Sequence, residues 1–325
     1  MTDDHYPLNL IPADPTLPAQ DPAKWLLQRP FSEHDRSFRA EAALFVPGAA
    51  LATAMNTALA VGEPLLLTGE PGTGKTQAAY YAAHKLGTEV FHFQVKSETT
   101  ARDLLYHFDT VQYFHDAHLQ ELRGHGGPGT RRLRKRDYVE PRTLWQAFDY
   151  GERHQRPAVV LIDEIDKATR DFPNDLLHEL DKMEFIIGET GERIAADRRL
   201  RPILYITSNS ERRLPEPFLR RCVYHHIRFE PAILERAVAM RRREFAPLPD
   251  DLVELAIRCF LRLRERPDLR KPPATGELLV WLRVLALALQ TTPEEVDKLT
   301  LDDLDALPYL HVLLKDHRDQ QGLAP

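Results

Sequence analysis

The feature that most constrains this chain is the segment Gly-Glu-Pro-Gly-Thr-Gly-Lys-Thr at residues 69–76, which follows the apolar run Pro64–Leu67. Glycine tolerates backbone angles that other residues avoid, so such a loop can turn successive backbone N–H groups towards an anion. The helical pattern of residues 77–83 would add the positive N-terminal end of a helix. A strand, this loop and a helix, in that order, predict an α/β domain that binds the phosphates of a nucleoside triphosphate.

The residues of this loop have separate expected roles. Lys75 would reach the β- and γ-phosphates, and the Thr76 hydroxyl would bind Mg²⁺ beside them. We therefore expect ATP and Mg²⁺ as ligands. The residues expected to bind the nucleotide and its metal are Gly69, Glu70, Pro71, Gly72, Thr73, Gly74, Lys75, Thr76, Gln77 and, from the segment described next, Asp163.

A second apolar run, residues 159–162, ends in Asp163 and Glu164. Consecutive apolar residues are typical of a central strand in a parallel sheet, which helices cover on both faces. Ligands of such sheets bind at the carboxyl ends of the strands, where these carboxylates would meet the phosphate loop. We expect Asp163 and Thr76 to hold Mg²⁺, and Glu164 to orient and polarise the attacking water.

Asn209 ends a third apolar run, residues 202–208. If this strand lies beside the strand of Asp163, the Asn209 side chain can hydrogen-bond the attacking water or the γ-phosphate. An asparagine in this position, considered alone, would more simply cap the end of a strand.

Arg220 and Arg221 follow a short helical segment, residues 214–219, and precede a predicted strand at 223–229. We expect them at the edge of the domain, too far from their own phosphate loop to contact it. They can instead reach the γ-phosphate bound by a neighbouring subunit, where such an arginine raises the rate of hydrolysis by about 10³–10⁵-fold. Considered alone, both would be a solvated helix end.

Length and composition agree with this type of protein. The 325 residues accommodate a large α/β domain and a smaller one, and the formal charge of −6 gives no general attraction to nucleic acids. Cys222 and Cys259 form neither a disulfide framework nor a metal-binding pattern. The start Met1–His5 is unlike a signal peptide, and the apolar tract Leu278–Leu289 is shorter than the ~20 residues that span a bilayer. These features predict a cytoplasmic protein without a membrane span.

The pattern along the chain predicts four parts. They are an N-terminal arm (1–35), a nucleotide-binding α/β domain (36–230), a helical lid domain (231–315) and a flexible tail (316–325). Lys75 and Asp163 are further apart than a minimal strand–helix–strand–helix path requires, which indicates an insert at about 107–141. Residues 173–184 predict a helix, and residues 185–194 predict a hairpin.

The motifs GEPGTGKT, LIDEID, the asparagine of YITSN and the arginines of LRRC, in this order, resemble the AAA+ ATPases across residues 45–230. Within them, residues 101–106, 138–145 and 214–218 are similar to the MoxR family. The resemblance implies a P-loop NTPase fold. This is a three-layer αβα sandwich around a parallel five-stranded sheet of order 5-1-4-3-2, followed by a small helical lid. It also implies a homo-oligomeric ring, expected to have six subunits.

The resemblance further implies ATP-driven remodelling, activation or assembly of a protein client that carries a von Willebrand factor type A domain. It implies that the insert points towards the central pore, and that Arg221, beside Cys222, is the essential arginine while Arg220 orients or seals the interface. Many relatives begin a lid helix with an arginine that touches the γ-phosphate. The matching stretch here offers Gly276 or Glu277, and Arg283 lies two turns further on, so no lid arginine is assigned.

Two other functions stay open. The basic run 131–136 can grip nucleic-acid phosphates, grip an acidic partner, or be a solvated tip. The first alternative is therefore a nucleic-acid-stimulated translocase of the McrB type, although no known DNA-binding motif is visible. The second is a nucleotide-dependent regulatory switch, against which the complete Asp163–Glu164 pair argues. His107, His115, His118 and His125 lie in the insert without the spacing of a metal site.

Overall fold

The structure is a computed structural model that describes residues 8, 10–11, 24–25, 38–122 and 133–321. The chain divides into an α/β unit, residues 47–69 and 75–227, and a helical unit, which comprises residues 228–325 with 1–46 and 70–74 so far as they are described. The described helices and strands are, in chain order, α1 (Phe38–Glu41), α2 (Ala49–Val61), β1 (Leu65–Gly69), α3 (Lys75–Leu86), β2 (Val90–Gln94), α4 (Ala101–Leu105), β3 (Tyr106–Phe108), α5 (Thr110–Leu122), β4 (Val139–Pro141), α6 (Thr143–His154), β5 (Val159–Asp163), α7 (Phe172–Asp175), α8 (Leu177–Lys182), β6 (Glu184–Ile186), β7 (Arg193–Ala195), β8 (Ile203–Ser208), α9 (Glu216–Leu219), β9 (Val223–Ile227), α10 (Pro231–Met240), α11 (Asp250–Arg264), α12 (Thr275–Thr291), α13 (Pro293–Val296) and α14 (His317–Gln321).

Five parallel strands form the centre of the α/β unit, in the order β2-β5-β8-β1-β9. Numbered within this sheet alone, the order is 2-3-4-1-5, which confirms the predicted order 5-1-4-3-2 read from the opposite edge. Helices α2, α3 and α6 pack against β1 and β5, and every residue of these two strands is buried. The apolar runs form strands here because helices cover the faces of the sheet.

The parallel register brings the carboxyl ends of the central strands to one edge of the sheet. Thr68 lies opposite Ser208, Ile162 lies opposite Ile206, and Gln94 lies opposite Asp163. The residues that follow these strands therefore share one edge, as expected for a ligand site in an α/β sheet.

Two small antiparallel pairs also belong to the α/β unit. Strands β3 and β4 enclose α5 in the segment predicted as an insert, of which residues 123–132 lie outside the described residues. Strands β6 and β7 form the predicted hairpin. The Tyr106 hydroxyl accepts a hydrogen bond from the Gly188 N–H at 2.9 Å, and its ring stacks on Phe185. Tyr106 thus ties the hairpin to the base of the insert.

Residues 173–184 do not form the single helix that their sequence predicts. The helix is broken at Leu176 into α7 and α8, and Met183 ends α8 in the left-handed conformation with φ of 52°. Glu184 and the residues after it then pass into β6, which buries Phe185 against Trp145 and Phe148. Burial of this aromatic side chain, rather than local helix propensity, decides where the helix ends.

The helical unit has a core of its own, to which α10, α11 and α12 contribute. Helix α11 faces this core with Val253, Ala256, Cys259, Phe260 and Leu263. Trp281 is fully buried and donates from Nε1 to the Pro308 carbonyl at 2.7 Å. Arg283 is also buried and forms an ion pair with Glu244, with Nε to Oε2 at 2.7 Å.

Among the described residues, no single helix is long and apolar enough to cross a membrane, although two segments bent by 117° at their junction, 38–44 and 49–61, pass that test as a pair.

Candidate nucleotide site

The loop between β1 and α3 has a backbone shape that its glycines allow. Gly69, Gly72 and Gly74 have φ angles of +148°, +77° and +87°, which other residues rarely adopt. A Cβ atom at Gly72 or Gly74 would also lie 2.8 or 2.7 Å from a neighbouring side chain. Lys75 begins α3, is buried, and donates from Nζ to the Gly69 carbonyl at 2.8 Å. The loop therefore folds back on its own lysine and has the backbone that a phosphate-binding loop requires.

Asp163 lies at the end of β5 in a dense hydrogen-bond network. The Thr76 hydroxyl donates to its Oδ1 at 3.0 Å, and the Thr207 hydroxyl donates to the same oxygen at 2.5 Å. Burial by itself would raise the pKa of the Asp163 carboxyl, but hydrogen bonds from His92, Thr207 and Thr76 outweigh it and hold the pKa below its usual value. Asp163 is therefore an ionised acceptor at neutral pH.

His92 contacts Asp163 from the neighbouring strand β2. Its Nε2 lies 3.3 Å from Asp163 Oδ2, and its Nδ1 lies 3.1 Å from the Tyr80 hydroxyl on α3. The three side chains form a chain of hydrogen bonds that ends on the carboxylate. The imidazole thereby restricts the orientation of this carboxylate, as partners of metal ligands commonly do.

Glu164 has a different environment, although it is adjacent to Asp163. Its backbone is in the left-handed conformation with φ of 59°, and its N–H donates to Thr207 Oγ1 at 2.8 Å. Asn209 Nδ2 donates to its Oε1 at 3.0 Å, and Gln94 Nε2 donates to its Oε2 at 2.7 Å. Lys167 forms an ion pair with the same carboxylate. A non-glycine residue in this conformation is an unfavourable backbone state of the kind found at functional sites.

The donor groups fit Mg²⁺ and a nucleotide. The Thr76 hydroxyl and the Asp163 carboxylate are oxygen ligands of the type that Mg²⁺ prefers, and Mg²⁺ usually completes its coordination with water and phosphate oxygens. Groups of three or more His, Cys, Asp or Glu side chains that could hold a metal do not occur in the described ranges. Gln77 lies buried in the first turn of α3.

Arg220 and Arg221 lie near the amino-terminal ends of the parallel strands, whereas the phosphate loop lies near their carboxyl-terminal ends. They precede β9, whose first residue Val223 lies opposite Leu65 at the start of β1, whereas the loop follows Gly69 at its end. The backbone of the arginines is therefore the length of a five-residue strand, about 13 Å, from the start of the loop. Arg221 Nε donates to Asp181 at 2.7 Å. The Arg220 side chain is exposed and has no hydrogen bond or ion pair with any described residue.

The sequence interpretation missed five residues of this site: Tyr80, His92, Gln94, Lys167 and Thr207. Gln94 had a signal, because it ends the strand that borders β5 and thus lies at the same edge as Asp163. His92 lies two residues earlier, on the same face of that strand. Lys167 lies one helical turn after Glu164, and nothing in the sequence except its charge indicates that it belongs to the site.

Several other features have partners that limit their roles. Arg136 of the basic run pairs with Glu192 at 2.8 Å and lies 4.6 Å from the centre of the Trp145 ring, while residues 131 and 132 are outside the described ranges. Arg283, to which the sequence assigns no lid role, belongs to the buried ion pair with Glu244. His125 is outside the described residues, and His107, His115 and His118 form no metal cluster within them.

The sheet order and the phosphate loop define a P-loop NTPase with the topology of the AAA+ class. Residues 64–222, just under half of the chain, match the family model of the AAA domain, dynein-related subfamily. This match supports the AAA+ ATPase class that the sequence motifs predicted. No curated protein matches the chain.

Proposed function

We propose that this protein hydrolyses ATP with Mg²⁺ in a ring-shaped homo-oligomer, and that it thereby remodels, activates or assembles a protein client in the cytoplasm. The observation that carries the proposal is the contrast between two adjacent carboxylates. Asp163 is buried and hydrogen-bonded to Thr76, whereas Glu164 is partly exposed and bonded to Asn209. One carboxylate is suited to hold a metal, and the other is suited to orient water.

In this proposal each side chain has one task. Lys75 binds the β- and γ-phosphates of ATP, and Thr76 and Asp163 hold the metal. Bound Mg²⁺ neutralises charge on the phosphates during hydrolysis. Glu164 orients the attacking water, and Asn209 and Gln94 fix the direction of the Glu164 carboxylate. Lys167 must give up part of its ion pair when Glu164 contacts water.

The oligomer is supported by the position of the arginines. Arg220 and Arg221 lie at the sheet edge opposite to the phosphate loop, so they cannot complete the site in their own chain. A head-to-tail contact that repeats around a closed ring would bring them to the site of the next subunit. Six subunits are expected from the resemblance to AAA+ ATPases.

A protein client is favoured over nucleic acid. The MoxR resemblance implies a partner with a von Willebrand factor type A domain, and the chain has a formal charge of −6. Arg136, at the end of the basic run, is already paired with Glu192 and packed on Trp145, which lowers its availability for phosphates.

The catalytic assignment is tested by Glu164→Gln. This variant keeps the size and hydrogen-bonding ability of the side chain but loses the carboxylate, so ATP should bind with nearly unchanged affinity while phosphate release falls by on the order of 10²–10⁴-fold. Glu98→Gln, an exposed position in the same unit, is the matched control and should leave the rate unchanged. Hydrolysis near the wild-type rate in Glu164→Gln would mean that another residue activates the water.

The client assignment is tested by measuring ATP hydrolysis with two additions. A purified protein with a von Willebrand factor type A domain should raise the rate, and duplex DNA should leave it unchanged. Stimulation by DNA that falls steeply with salt would instead support the translocase.

A further inference from the structure

A cleft of about 410 Å³ lies in the α/β unit beside the catalytic strands. One wall is formed by residues 165–173, which come after Glu164 in the sequence, and the other by residues 212–215, which come after Asn209. The residues that line it are Ile165, Asp166, Ala168, Thr169, Arg170, Pro173, Arg212, Arg213, Leu214 and Pro215. None of them has a role in the nucleotide site described above.

The two walls are joined to each other and to the catalytic residues. The buried carboxylate of Asp166 accepts hydrogen bonds from the backbone N–H groups of Asn209, at 3.2 Å, and of Glu211, at 2.9 Å. Arg212 Nη1 donates to the Ala168 carbonyl at 2.8 Å. A molecule that binds in this cleft would therefore contact the two segments that come after Glu164 and Asn209 in the sequence.

The lining has a strong excess of positive charge. Arg170 forms no ion pair with any described residue, and the described side-chain bond of Arg212 is to a neutral carbonyl. Arg213 pairs at 3.2 Å with Glu216, a pair that is largely exposed, and such pairs stabilise little. Asp166 is the acidic residue of the lining, and both of its oxygens already accept hydrogen bonds. The positive charge of these arginines therefore suits the cleft to bind carboxylate groups.

Apolar groups lie between these arginines. Ile165 and Leu214 are buried, and Ala168, Pro173 and Pro215 complete the apolar part of the lining. A free phosphate or a nucleic-acid backbone has no apolar group to place against such a surface. A peptide that alternates acidic and aliphatic or aromatic side chains matches both parts.

We propose that this cleft binds an acidic–apolar peptide segment of a partner protein, with a carboxylate on Arg170 and an apolar side chain against Leu214. The bound segment would link the loops after Glu164 and Asn209. Its effect on hydrolysis rests on the proposed function, whereas the binding itself does not.

The experiment selects peptides from a library of random heptapeptides displayed on phage, with the nucleotide-free wild-type protein as the target. Selected peptides are then labelled with fluorescein, and their affinity is measured by fluorescence anisotropy. Peptides with Asp or Glu next to Leu, Ile or Phe should be enriched. Arg170→Glu should weaken their binding by at least on the order of tenfold, because it replaces an attraction with a repulsion.

Two controls make the result decisive. Arg198→Glu changes an exposed arginine of the same unit outside the cleft and should leave peptide affinity unchanged. Thermal unfolding of both variants checks that they are folded, and Arg170→Ala should give an intermediate loss of affinity if folding of Arg170→Glu is impaired. The proposal is overturned if no acidic–apolar peptides are enriched, or if those that bind are insensitive to both Arg170 variants.

The failure of this proposal is distinguishable from the failure of the proposed function. Binding is measured without nucleotide, and ATP hydrolysis is measured separately on the same preparations. Normal hydrolysis without peptide binding would remove the cleft proposal alone.

Discussion

At the scale of residues, the environment of His92 shows how the carboxylate of Asp163, the expected metal ligand, is held in place. Thr76, Thr207 and His92 all hydrogen-bond to this carboxylate, and Tyr80 hydrogen-bonds to the far side of the imidazole. A carboxylate that is held from several sides does not need to be ordered when a metal binds. The hydrogen bonds also keep it ionised in spite of its burial.

His92→Phe should weaken the binding of Mg²⁺ at the nucleotide site, so that ATP binding requires more Mg²⁺. The change removes one hydrogen bond to Asp163, so the Mg²⁺ concentration needed for half-maximal binding of a non-hydrolysable ATP analogue should rise by about 10–100-fold. The affinity for the analogue in the absence of Mg²⁺ should stay the same. Tyr80→Phe keeps the imidazole in place and should have a smaller effect; an unchanged Mg²⁺ requirement in His92→Phe would show that His92 only fills space.

Lys75→Ala tests the phosphate loop itself. The side chain is the cation expected at the β- and γ-phosphates, and its loss should reduce ATP affinity by on the order of 100-fold in calorimetry. Lys85→Ala alters the last turn of the same helix and serves as the control, because its side chain is exposed and lies over Tyr81. Undiminished ATP affinity in Lys75→Ala would contradict the assignment of the loop.

At the scale of elements, the sheet was predictable because its three central strands, β1, β5 and β8, begin with apolar runs and end in polar residues or glycine. The runs around Leu65–Leu67 and Val159–Ile162 are long enough to identify buried strands, and the motif after the first fixes its place in the sheet. The side-chain contacts between neighbouring strands were harder to predict from the sequence. Gln94 and Glu164 are hydrogen-bonded, but only the pairing of β2 with β5 brings them together.

The end of α8 at Met183 was not predictable from the local pattern. Residues 173–184 contain no glycine, and their one proline, Pro173, lies in the first turn of α7, so propensity alone favours a continuous helix. The burial of Phe185 in a cluster of aromatic rings depends on the insert and on α6, which are distant in sequence. Tertiary packing therefore decides this boundary.

Tyr106→Phe should loosen the attachment of the hairpin β6–β7 to the base of the insert. The variant keeps the ring on Phe185 but leaves the Gly188 N–H without its acceptor, which should lower the free energy of unfolding by about 1 kcal/mol. Amide hydrogen exchange measured by mass spectrometry should then rise in residues 184–195.

Tyr138→Phe is the matched control for this change. It removes a hydrogen bond at 2.8 Å to Asp116 within the insert, and it should leave exchange in the hairpin unaltered. If Tyr106→Phe also leaves it unaltered, the tyrosine does not couple the two segments.

At the scale of the whole molecule, the site is incomplete in a single chain if an arginine is required for hydrolysis. The candidate arginines stand at the opposite edge of the sheet. Arg221 is paired with Asp181, with both side chains partly exposed, so a new carboxylate or phosphate can compete for it at an interface. Specific activity should therefore rise with protein concentration as subunits assemble.

The central claim is that each active site takes its phosphate loop from one subunit and its arginine from the next. The most direct measurement mixes two inactive variants and records phosphate release. Arg221→Ala subunits keep an intact phosphate loop and Glu164, and Glu164→Gln subunits keep an intact Arg221. Arg220, whose exposed side chain forms no ion pair with the described part of the chain, is tested as Arg220→Ala for comparison; this variant alone should retain more activity than Arg221→Ala. The mixture should recover part of the wild-type rate, because some interfaces combine the intact halves. The absence of recovery in mixed rings verified by mass, or full activity in a dilute monomer, would contradict the account.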